Sequence, residues 1–526
     1  MKRSVQRLLM AAVTFSVCAG AWAGEYSKRY ERIASFDGTE LGALVLEPKN
    51  QGNGPFPLVV MPASWSLPNL EYLGRASQMA QDGYVVVSYT SRGFWDSAGK
   101  IDVAGAATVE DVSSVIDWAL ANTRSNPQAI GASGISYGAG VSLLAAGRDP
   151  RIKAVTALSG WADLEASLYA NQTPSRQGIL LLGGAGGLTG RPGPELSAVI
   201  SRSLVGDFQG AVDAVMPVAA ERGAASELAN INANGTAVLL ANAYNDALFP
   251  PSQLTAFYSG LRGPKQMLFS QGDHATAELT GALGLDNQVY TAATRWFDHH
   301  LKGAANGVPA EQPVRLSTTG GQWLGYASWA AVQANPTVYG LTKPSGLISP
   351  TGNLANANAT GWSHGILTNV GTVSESGVVM ISGLFQGLGL PTTASIPLVN
   401  RSGAAVWSTP ALTSARVLGG APSLRVTVTP SQRNVSLFAY LYSVNALGVG
   451  ELLSYKPVTL RDVTAGRAQT LDIEMEAAAA EIPAGRKLVL VIDTNDARYA
   501  DRTSSFGSVS FSSPASAPSQ LKVPMR

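Results

Sequence analysis

The chain has 526 residues, a length that exceeds one ordinary domain and predicts two domains with sizeable cores. Its 37 basic and 36 acidic residues leave a net charge of +1, and no long basic run is present. This balance argues against a nucleic acid as a partner.

The first segment has the pattern of a secretory signal peptide. Lys2, Arg3 and Arg7 precede the apolar run LLMAAVTFSVCAGAWA, which ends in a small-x-small cleavage pattern. The apolar run is short for a stable membrane span, which needs about 20 residues. We expect cleavage after Ala23 and an exported protein, located in the periplasm or secreted.

The single cysteine, Cys18, lies inside this segment. A lipid anchor on Cys18 is the alternative, but it would need a small residue just before the cysteine, where Val17 stands. Cleavage after Ala23 would leave no thiol, so the mature protein would hold no disulfide and no cysteine-ligated metal. Its stability would then come from packing.

From about residue 28 to 305, short β-branched runs alternate with longer helical stretches, which is typical of a parallel α/β sheet. Strands are predicted at 57–64, 84–91, 129–133, 152–160, 236–244 and 264–272. Helices are predicted at 70–83 and 108–122, the second with Thr108 and Asp111 as a possible start.

The interval 163–234 interrupts this alternation and is rich in Ala, Gly and Leu. Its centre, GGAGGLTGRPG at 183–193, lacks the Gly-Lys-Ser/Thr of a phosphate loop, so we interpret it as flexible linkage within a helical cap. Insertions at the C-terminal ends of sheet strands often shape substrate pockets. We therefore expect the cap to form part of a binding site.

Beyond about residue 310 the helical periodicity largely disappears. Short β runs take its place: PVRLSTT, SLRVTVTP, VSLFAYLYSV, QTLDIEMEA, KLVLVID and SVSFSS. They predict an antiparallel β-sandwich of jelly-roll type. The predicted organisation is a signal peptide at 1–23, an α/β domain at 24–310 and a β-sandwich at 311–526.

One segment of the β-sandwich, DTNDARYAD at 493–501, is similar to a calcium loop at first sight. Ala497 occupies a position where a ligand is required, and no glycine follows. We interpret the segment as an acidic turn and predict neither a metal nor another cofactor.

The pentad GISYG at 134–138 stands between a predicted strand and a predicted helix. A serine hydroxyl is a poor nucleophile at neutral pH and needs a base and oxyanion donors beside it. A Gly-x-Ser-x-Gly turn exposes the hydroxyl and points the next amide toward the oxyanion. Ser136 is the predicted nucleophile and Tyr137 the donor of one oxyanion-hole amide, and a tight structural turn is the alternative.

The base and the acid are predicted from chain order. An α/β-hydrolase places an acid after a later strand and a histidine after the last strand, and Asp246 and His274 stand there. His299 and His300 lie at a predicted helix end, where we interpret them as C-terminal cations, and His364 lies in the β-sandwich. The predicted catalytic residues are thus the pentad serine, Asp246 and His274.

Two further aspartates compete for the role of the acid. Asp163 follows the strand after the nucleophile, a place to which some hydrolases move the acid. Asp273 adjoins the predicted base and is interpreted as a local loop residue.

The second oxyanion amide should come from the loop after the strand PLVVM. Ser64 is the first choice, with Ala63 and Trp65 as alternatives. Trp65 and Tyr137 are also predicted to bind substrate.

Several motifs follow one another in a characteristic order. They are RGFWDSAG at 92–99, a helix with Glu-Asp and Ile-Asp-Trp at 110–118, the pentad, RWFDHHLKG at 295–303 and PVRLSTTGGQWLGYASW at 313–329. Together they resemble the cocaine-esterase/X-Pro dipeptidyl-peptidase (S15-like) group of serine hydrolases, over nearly the whole mature chain. The resemblance implies an α/β-hydrolase fold with a C-terminal jelly roll that helps to wall the site. It also implies acyl-enzyme chemistry on esters or amides through Ser136, Asp246 and His274.

Departures from that family bear on the substrate. Thr90 and Ala63 stand where the family often has an aspartate and an oxyanion tyrosine, and the histidine follows Gly-Asp. No acidic pair for a free amino group is identifiable, so a carboxylic ester is favoured over an amide or peptide. An X-Pro dipeptidyl-peptidase or acylamide hydrolase is the alternative and would need cap carboxylates from Glu165, Asp207 or Asp213.

A hypothesis from another class is an inactive hydrolase-fold protein that binds carbohydrate through its β-sandwich. All three triad positions are filled, which favours an enzyme acting on a small ester or amide, or a peptide. An exposed row of aromatics would favour polymer binding by the β-sandwich. The tryptophans there are interpreted instead as core or interface residues: Trp323, Trp329, Trp362 and Trp407. The oligomeric state is not predicted.

Overall fold

The computed structural model describes residues 24–526. The predicted signal peptide at 1–23 lies outside these residues. Within them, no helix combines the length and the apolar character needed to cross a membrane.

The N-terminal part is built on one ten-stranded sheet. Its strands are β1 (Glu25–Ala34), β2 (Glu40–Lys49), β3 (Phe56–Pro62), β4 (Val85–Tyr89), β5 (Ser125–Ile135), β6 (Ile152–Leu158), β7 (Ala237–Ala243), β8 (Lys265–Ser270), β9 (Val314–Ser317) and β10 (Trp323–Tyr326). The strand order is β1-β2-β4-β3-β5-β6-β7-β8-β9-β10, parallel from β4 to β9 and antiparallel at both edges.

Twelve α-helices accompany this sheet. They are α1 (Leu73–Gln81), α2 (Ala106–Asn122), α3 (Tyr137–Arg148), α4 (Leu164–Leu168), α5 (Arg176–Thr189), α6 (Pro194–Leu204), α7 (Phe208–Asp213), α8 (Met216–Ala219), α9 (Leu228–Asn234), α10 (Ser252–Gly260), α11 (Leu279–Ala282) and α12 (Gln288–Lys302). Helices α2, α3 and α10 pack on one face of the sheet, and α1 and α12 pack on the other. Because both faces are covered, the central strands are buried apolar runs rather than alternating ones.

The predicted α/β-hydrolase class is confirmed, and the six predicted strands correspond to β3 to β8. The predicted start of α2 is wrong, because the helix begins at Ala106 after the cap residue Gly105. Asp111 is fully buried within α2 and accepts hydrogen bonds from Arg92 Nε and Nη2 at 2.7 and 2.6 Å. This ion pair ties the RGFWDSAG segment to the helix that packs on β3.

The helices α4 to α9 form the cap between β6 and β7, as the interval 163–234 predicts. The interpretation of 183–193 as flexible linkage is wrong, because α5 continues through the glycine-rich run to Thr189. A Cβ atom on Gly186 would lie 2.8 Å from the Trp65 ring. Close packing of α5 on that ring outweighs the low helix propensity of glycine, about 1 kcal/mol per residue.

The first sheet extends past the predicted boundary at 310/311. Strand β9 pairs in parallel with β8, and β10 pairs with β9, so the run PVRLSTT belongs to the first sheet and not to the sandwich. A short β-rich run predicts a strand, but its own residues do not specify which sheet it joins.

The C-terminal part contains the remaining strands and two short helices. They are β11 (Thr337–Leu341), β12 (Gly352–Ala355), β13 (Trp362–Leu367), β14 (Thr393–Ser395), β15 (Ala405–Ser408), β16 (Arg416–Gly420), β17 (Ser423–Pro430), β18 (Val435–Val444), β19 (Val449–Leu460), β20 (Gln469–Glu474), β21 (Ala478–Ile482), β22 (Lys487–Asp493), β23 (Ser508–Ser513) and β24 (Gln520–Val523), with α13 (Trp329–Val332) and α14 (Ile381–Gly387). Twelve of these strands form one continuous, mainly antiparallel arrangement, and β16 pairs separately with β21. The predicted β-sandwich is confirmed.

The tryptophans of this region are mostly interior. Trp362 and Trp407 lie in the core of the sandwich with ring centroids 6.2 Å apart. Trp329 packs edge-on against Phe269 of β8, so it joins the sandwich side of the molecule to the first sheet. Trp323 is half-buried on β10. These residues do not form an exposed aromatic row.

Candidate active site

Ser136 occupies the sharp turn between β5 and α3, with φ 56° and ψ −117°. The flanking glycines allow strand and helix to meet there. A Cβ atom on Gly134 would lie 2.4 Å from the Gly138 carbonyl carbon, and one on Gly138 would lie 2.1 Å from the Pro62 oxygen. The strained serine conformation and the two close approaches are those of a nucleophile elbow.

The three predicted catalytic side chains lie together and are buried. Ser136 Oγ is 2.7 Å from His274 Nε2, and His274 Nδ1 is 2.9 Å from Asp246 Oδ2. Their exposed fractions are 6%, 4% and 0%. When the serine donates to Nε2, Nδ1 carries the proton and donates to Asp246, which is the tautomer a general base requires.

The loop after β7 fixes Asp246. Its Oδ1 atom accepts hydrogen bonds from the amides of Leu248 at 3.0 Å and Phe249 at 2.7 Å, which leaves Oδ2 for His274. The Phe249 ring packs edge-on against the imidazole at 5.1 Å. Carboxylate and imidazole are thus both held in orientation.

The electrostatics of the pair favour a protonated imidazole. Burial alone would lower the pKa of His274, but the Asp246 carboxylate raises it above its ordinary value of 6.5. Burial raises the pKa of Asp246, and its contacts with His274 and the Phe249 amide oppose that effect. An imidazolium formed during proton transfer is therefore stabilised where it arises.

The predicted second oxyanion donor, Ser64, is wrong. Its amide donates to Glu71 Oε2 at 2.7 Å, and the Ala63 amide donates to Tyr89 O at 2.9 Å. Within residues 24–526 the Trp65 amide has no acceptor, and Tyr137 is the first residue of α3, whose amide needs no helical acceptor. The free donors are thus the amides of Tyr137, which follows the serine, and of Trp65, which lines the same pocket as the serine.

The rival aspartates lie elsewhere in the structure. Asp163 is exposed and caps α4, accepting from the Ala166 amide at 2.9 Å. Asp273 is buried and accepts from the amides of Ala247 at 2.9 Å and His274 at 2.7 Å. Asp273 therefore joins the acid loop to the base loop, as a loop residue would.

Two glutamates, the half-buried Glu71 beside the oxyanion loop and the buried Glu278, have no recognisable sequence signal. Glu71 accepts the Ser64 amide behind the oxyanion loop. Glu278 Oε1 accepts from Ser159 Oγ at 3.0 Å, and Ser159 Oγ accepts from the Ala275 amide at 3.1 Å. Burial raises the pKa of each glutamate to about 7. Their roles depend on contacts between distant segments, which no local pattern indicates.

An apolar pocket opens beside Ser136 under the cap. Trp65 and Tyr137, the predicted substrate-binding residues, form part of its wall, and cap residues such as Leu164, Leu182 and Val212 form the opposite part. The nucleophile thus lies in the wall of an apolar cavity, together with Trp65 and Tyr137, the residues that carry the two free amides.

The predicted amine-binding carboxylates do not line this pocket. Glu165 is exposed, Asp207 caps α7 and pairs with Arg202, and Asp213 accepts from Gln209. These three carboxylates thus lie at the cap surface and not in the pocket.

One interpretation of the other histidines is wrong. Burial lowers the pKa of His300 to about 4, so it is uncharged at neutral pH and is no C-terminal cation of α12. His299 Nδ1 lies 3.0 Å from the Ala304 carbonyl oxygen.

Comparison with known proteins identifies both parts of the chain. Residues 37–276 match the X-Pro dipeptidyl-peptidase (S15 family) domain, and residues 306–517 match the X-Pro dipeptidyl-peptidase C-terminal non-catalytic domain. An uncharacterized 31.7 kDa protein in the traX-finO intergenic region of Escherichia coli is 24% identical over 272 residues, which cover 48% of this chain and 93% of that protein.

Solved structures share the whole architecture. An alpha-amino acid ester hydrolase superposes with a TM-score of 0.75 at 15% identity, covering 98% of this chain and 99% of its own. An aminopeptidase from a marine sediment Thaumarchaeota archaeon gives 0.73 at 14% identity, covering 97% and 98%. A CocE/NonD family hydrolase from Staphylococcus aureus gives 0.71 at 15% identity, covering 95% and 94%. At these identities the likeness establishes the shared fold.

Proposed function

Because the chain belongs to the X-Pro dipeptidyl-peptidase (S15) family of serine hydrolases, we propose that it cleaves carboxylic esters through an acyl-enzyme on Ser136. The observation that carries this proposal is the buried relay from Ser136 Oγ through His274 to Asp246, with both hydrogen bonds within 2.9 Å. The relay opens directly on the pocket under the cap.

The reaction follows from this geometry. Ser136 Oγ attacks the ester carbonyl carbon while His274 Nε2 takes the hydroxyl proton, and the oxyanion accepts hydrogen bonds from the Tyr137 and Trp65 amides. When the tetrahedral intermediate collapses, the bond to the alkoxy oxygen breaks and His274 returns the proton to the leaving alcohol. A water molecule activated by His274 then attacks the acyl-enzyme and releases the acid. Asp246 stabilises the imidazolium in both half-reactions.

Peptide or amide hydrolysis is the second candidate. One structurally similar protein is an aminopeptidase, and the matched family is described as X-Pro dipeptidyl-peptidase. The same catalytic relay would also act on an amide. Against it, the three cap carboxylates that could hold a peptide's free amino group lie away from the pocket wall. An ester also has the better leaving group.

The test is labelling of the purified protein with a fluorophosphonate, followed by mass mapping of the modified peptide. We expect one adduct, on Ser136, and no ester hydrolysis by Ser136→Ala, with a melting temperature close to that of the parent. Ser142→Ala is the matched control, because Ser142 is a buried serine of α3 whose hydroxyl has no hydrogen-bond partner among residues 24–526. Ester hydrolysis retained by Ser136→Ala would contradict the proposal.

We also propose that the protein is exported. The basic start, the short apolar run and the small-x-small pattern at Ala21–Ala23 support cleavage before Gly24. N-terminal sequencing of protein from the periplasmic fraction and the medium should find Gly24 first, and an N-terminus at Met1 would contradict export by cleavage.

A further inference from the structure

The apolar pocket under the cap has an unusually uniform wall. Its lining side chains are aliphatic or aromatic apart from the Ser136 hydroxyl, and none of those within the described chain carries a charge. The lining comes from both sides of the site: Trp65, Trp161 and Phe249 from the hydrolase core, and Ile179, Leu196 and Met216 from the cap. Such a cavity favours an apolar occupant.

The polar atoms of the aromatic lining residues are engaged elsewhere. Trp65 Nε1 donates to the Leu182 carbonyl at 2.9 Å, and Trp161 Nε1 donates to the Arg222 carbonyl at 2.7 Å. The Tyr137 hydroxyl accepts from the Ala104 amide at 2.6 Å. The two indole N–H groups are therefore engaged and the Tyr137 oxygen already accepts, so a charged group on an occupant would find no charged partner among the lining residues.

The position of the base decides which half of an ester enters the pocket. The leaving oxygen must lie within reach of His274 Nε2, because that atom returns the proton to it. His274 does not line the pocket, whereas the nucleophile and the amide-bearing residues Trp65 and Tyr137 do. The substituent on the other side of the carbonyl carbon, the acyl chain, is thus the half that extends into the pocket.

We propose that the enzyme is selective for esters of uncharged, apolar acyl groups and discriminates against α-amino acyl esters. This inference rests on the proposed function and narrows it to a substrate class. Each added methylene buried in the pocket should raise kcat/KM roughly fourfold until the cavity is filled. An ammonium group on the acyl chain should lower kcat/KM by roughly 100-fold or more, because it loses water without gaining a partner.

The test is a series of p-nitrophenyl esters from acetate through butyrate to hexanoate, with kcat/KM measured for each. Ethyl hexanoate, ethyl 2-aminohexanoate and ethyl 6-aminohexanoate then compare the same chain without a charge, with an α-ammonium and with a terminal ammonium. We expect a steady rise along the first series and a strong preference for ethyl hexanoate in the second. A flat first series, or a preference for either amino ester, would overturn the inference.

A pair of neighbouring glycines on α5 provides a matched pocket variant. Gly183 lines the pocket, and a Cβ atom there would make only ordinary contacts, the nearest at 3.6 Å to Ile200. Gly184 is exposed, and a Cβ atom there would have no heavy-atom neighbour within 4 Å. Gly183→Leu should shift the preferred acyl chain to a shorter one, and Gly184→Leu should keep the parental preference.

Failure of the inference and failure of the proposed function give different results. Fluorophosphonate labelling of Ser136 with hydrolysis of acetate but no gain for hexanoate would leave the esterase in place and remove the acyl selectivity. No labelling and no hydrolysis of any ester would overturn both. If Gly183→Leu does not fold, as judged by its melting curve, the two ester series on the parent protein decide the question alone.

Discussion

Asp246 receives three hydrogen bonds, from His274, Leu248 and Phe249, whereas the exposed Asp163 receives one, from the first turn of its own helix. Both aspartates follow strands of the same sheet, so their positions in the chain do not distinguish them. At the scale of single residues, the environment selects the acid, because only a buried and oriented carboxylate stabilises the imidazolium.

Asp246→Asn should therefore lower kcat by roughly 10⁴, since an amide favours the wrong imidazole tautomer. The loss should appear in kcat rather than KM, because Asp246 does not line the pocket. Asp163→Asn is the matched control and should retain parental kcat. The measurement is steady-state ester hydrolysis of both variants at equal purity, and a larger loss in Asp163→Asn would transfer the role of the acid to Asp163.

At the scale of elements, the loop that carries His274 is held by a helix of the C-terminal part. Asp273 Oδ2 accepts from the Gly383 amide of α14 at 3.2 Å, and its Oδ1 accepts from the amides of Ala247 and His274. A Cβ atom on Gly383 would lie 2.5 Å from Asp273 Cβ. Helix α14 of the C-terminal part thus holds the loop that carries the catalytic base.

Gly383→Ala should displace the Asp273 loop and lower kcat roughly tenfold or more, although residue 383 is remote in sequence from every predicted catalytic residue. Gly387→Ala on the same helix is the control, because its Cβ atom would approach Gly272 Cα only to 3.4 Å. Ester kinetics and melting temperatures of both variants check this. Equal activity of the two variants would show that α14 does not position the base.

At the scale of the whole molecule, groups with a raised pKa make stability and activity respond oppositely to pH. Burial raises the pKa of Glu71 and of Glu278 to about 7 from the ordinary 4.5. The folded protein therefore keeps protons that the unfolded chain loses between these values, so the free energy of unfolding falls as pH rises through this window. At 1.36 kcal/mol per pKa unit, full ionisation of each glutamate lowers the free energy of unfolding by roughly 3 kcal/mol.

His274 acts in the same direction on stability. Because its folded pKa is raised above 6.5, its contribution is present below 6.5 and is lost as pH rises through the folded pKa. Catalysis, in contrast, needs the neutral imidazole, which forms as pH rises through that raised folded pKa. The melting temperature should fall from about pH 5 to pH 8, while kcat/KM rises over the upper part of that range.

Melting curves and ester kinetics in one set of buffers check this prediction. Glu71→Gln removes one titrating carboxyl and should reduce the pH dependence of the melting temperature. A melting temperature that rises from pH 5 to pH 8 in the parent protein would contradict the raised pKa of both glutamates.

The sequence by itself determined the fold class and the three side chains that the structure brings together. Alternation of strands and helices, the change to β runs near residue 310 and the glycine-flanked serine are local patterns, and local patterns follow from backbone and packing periodicity. Five of the six predicted runs of the C-terminal region lie in its strands, at β17, β18, β20, β22 and β23. Chain order then identified Asp246 and His274 without any knowledge of distances.

Only the tertiary structure decided the features that depend on contacts between distant segments. The Ser64 amide donates to Glu71, so it is not a free oxyanion donor. The glycine-rich run forms a helix that packs against Trp65, and β9 and β10 join the first sheet. The apolar wall of the pocket likewise combines core and cap residues that lie far apart along the chain. Each outcome is set by which partner a group meets in space, and neither residue type nor sequence spacing carries that information.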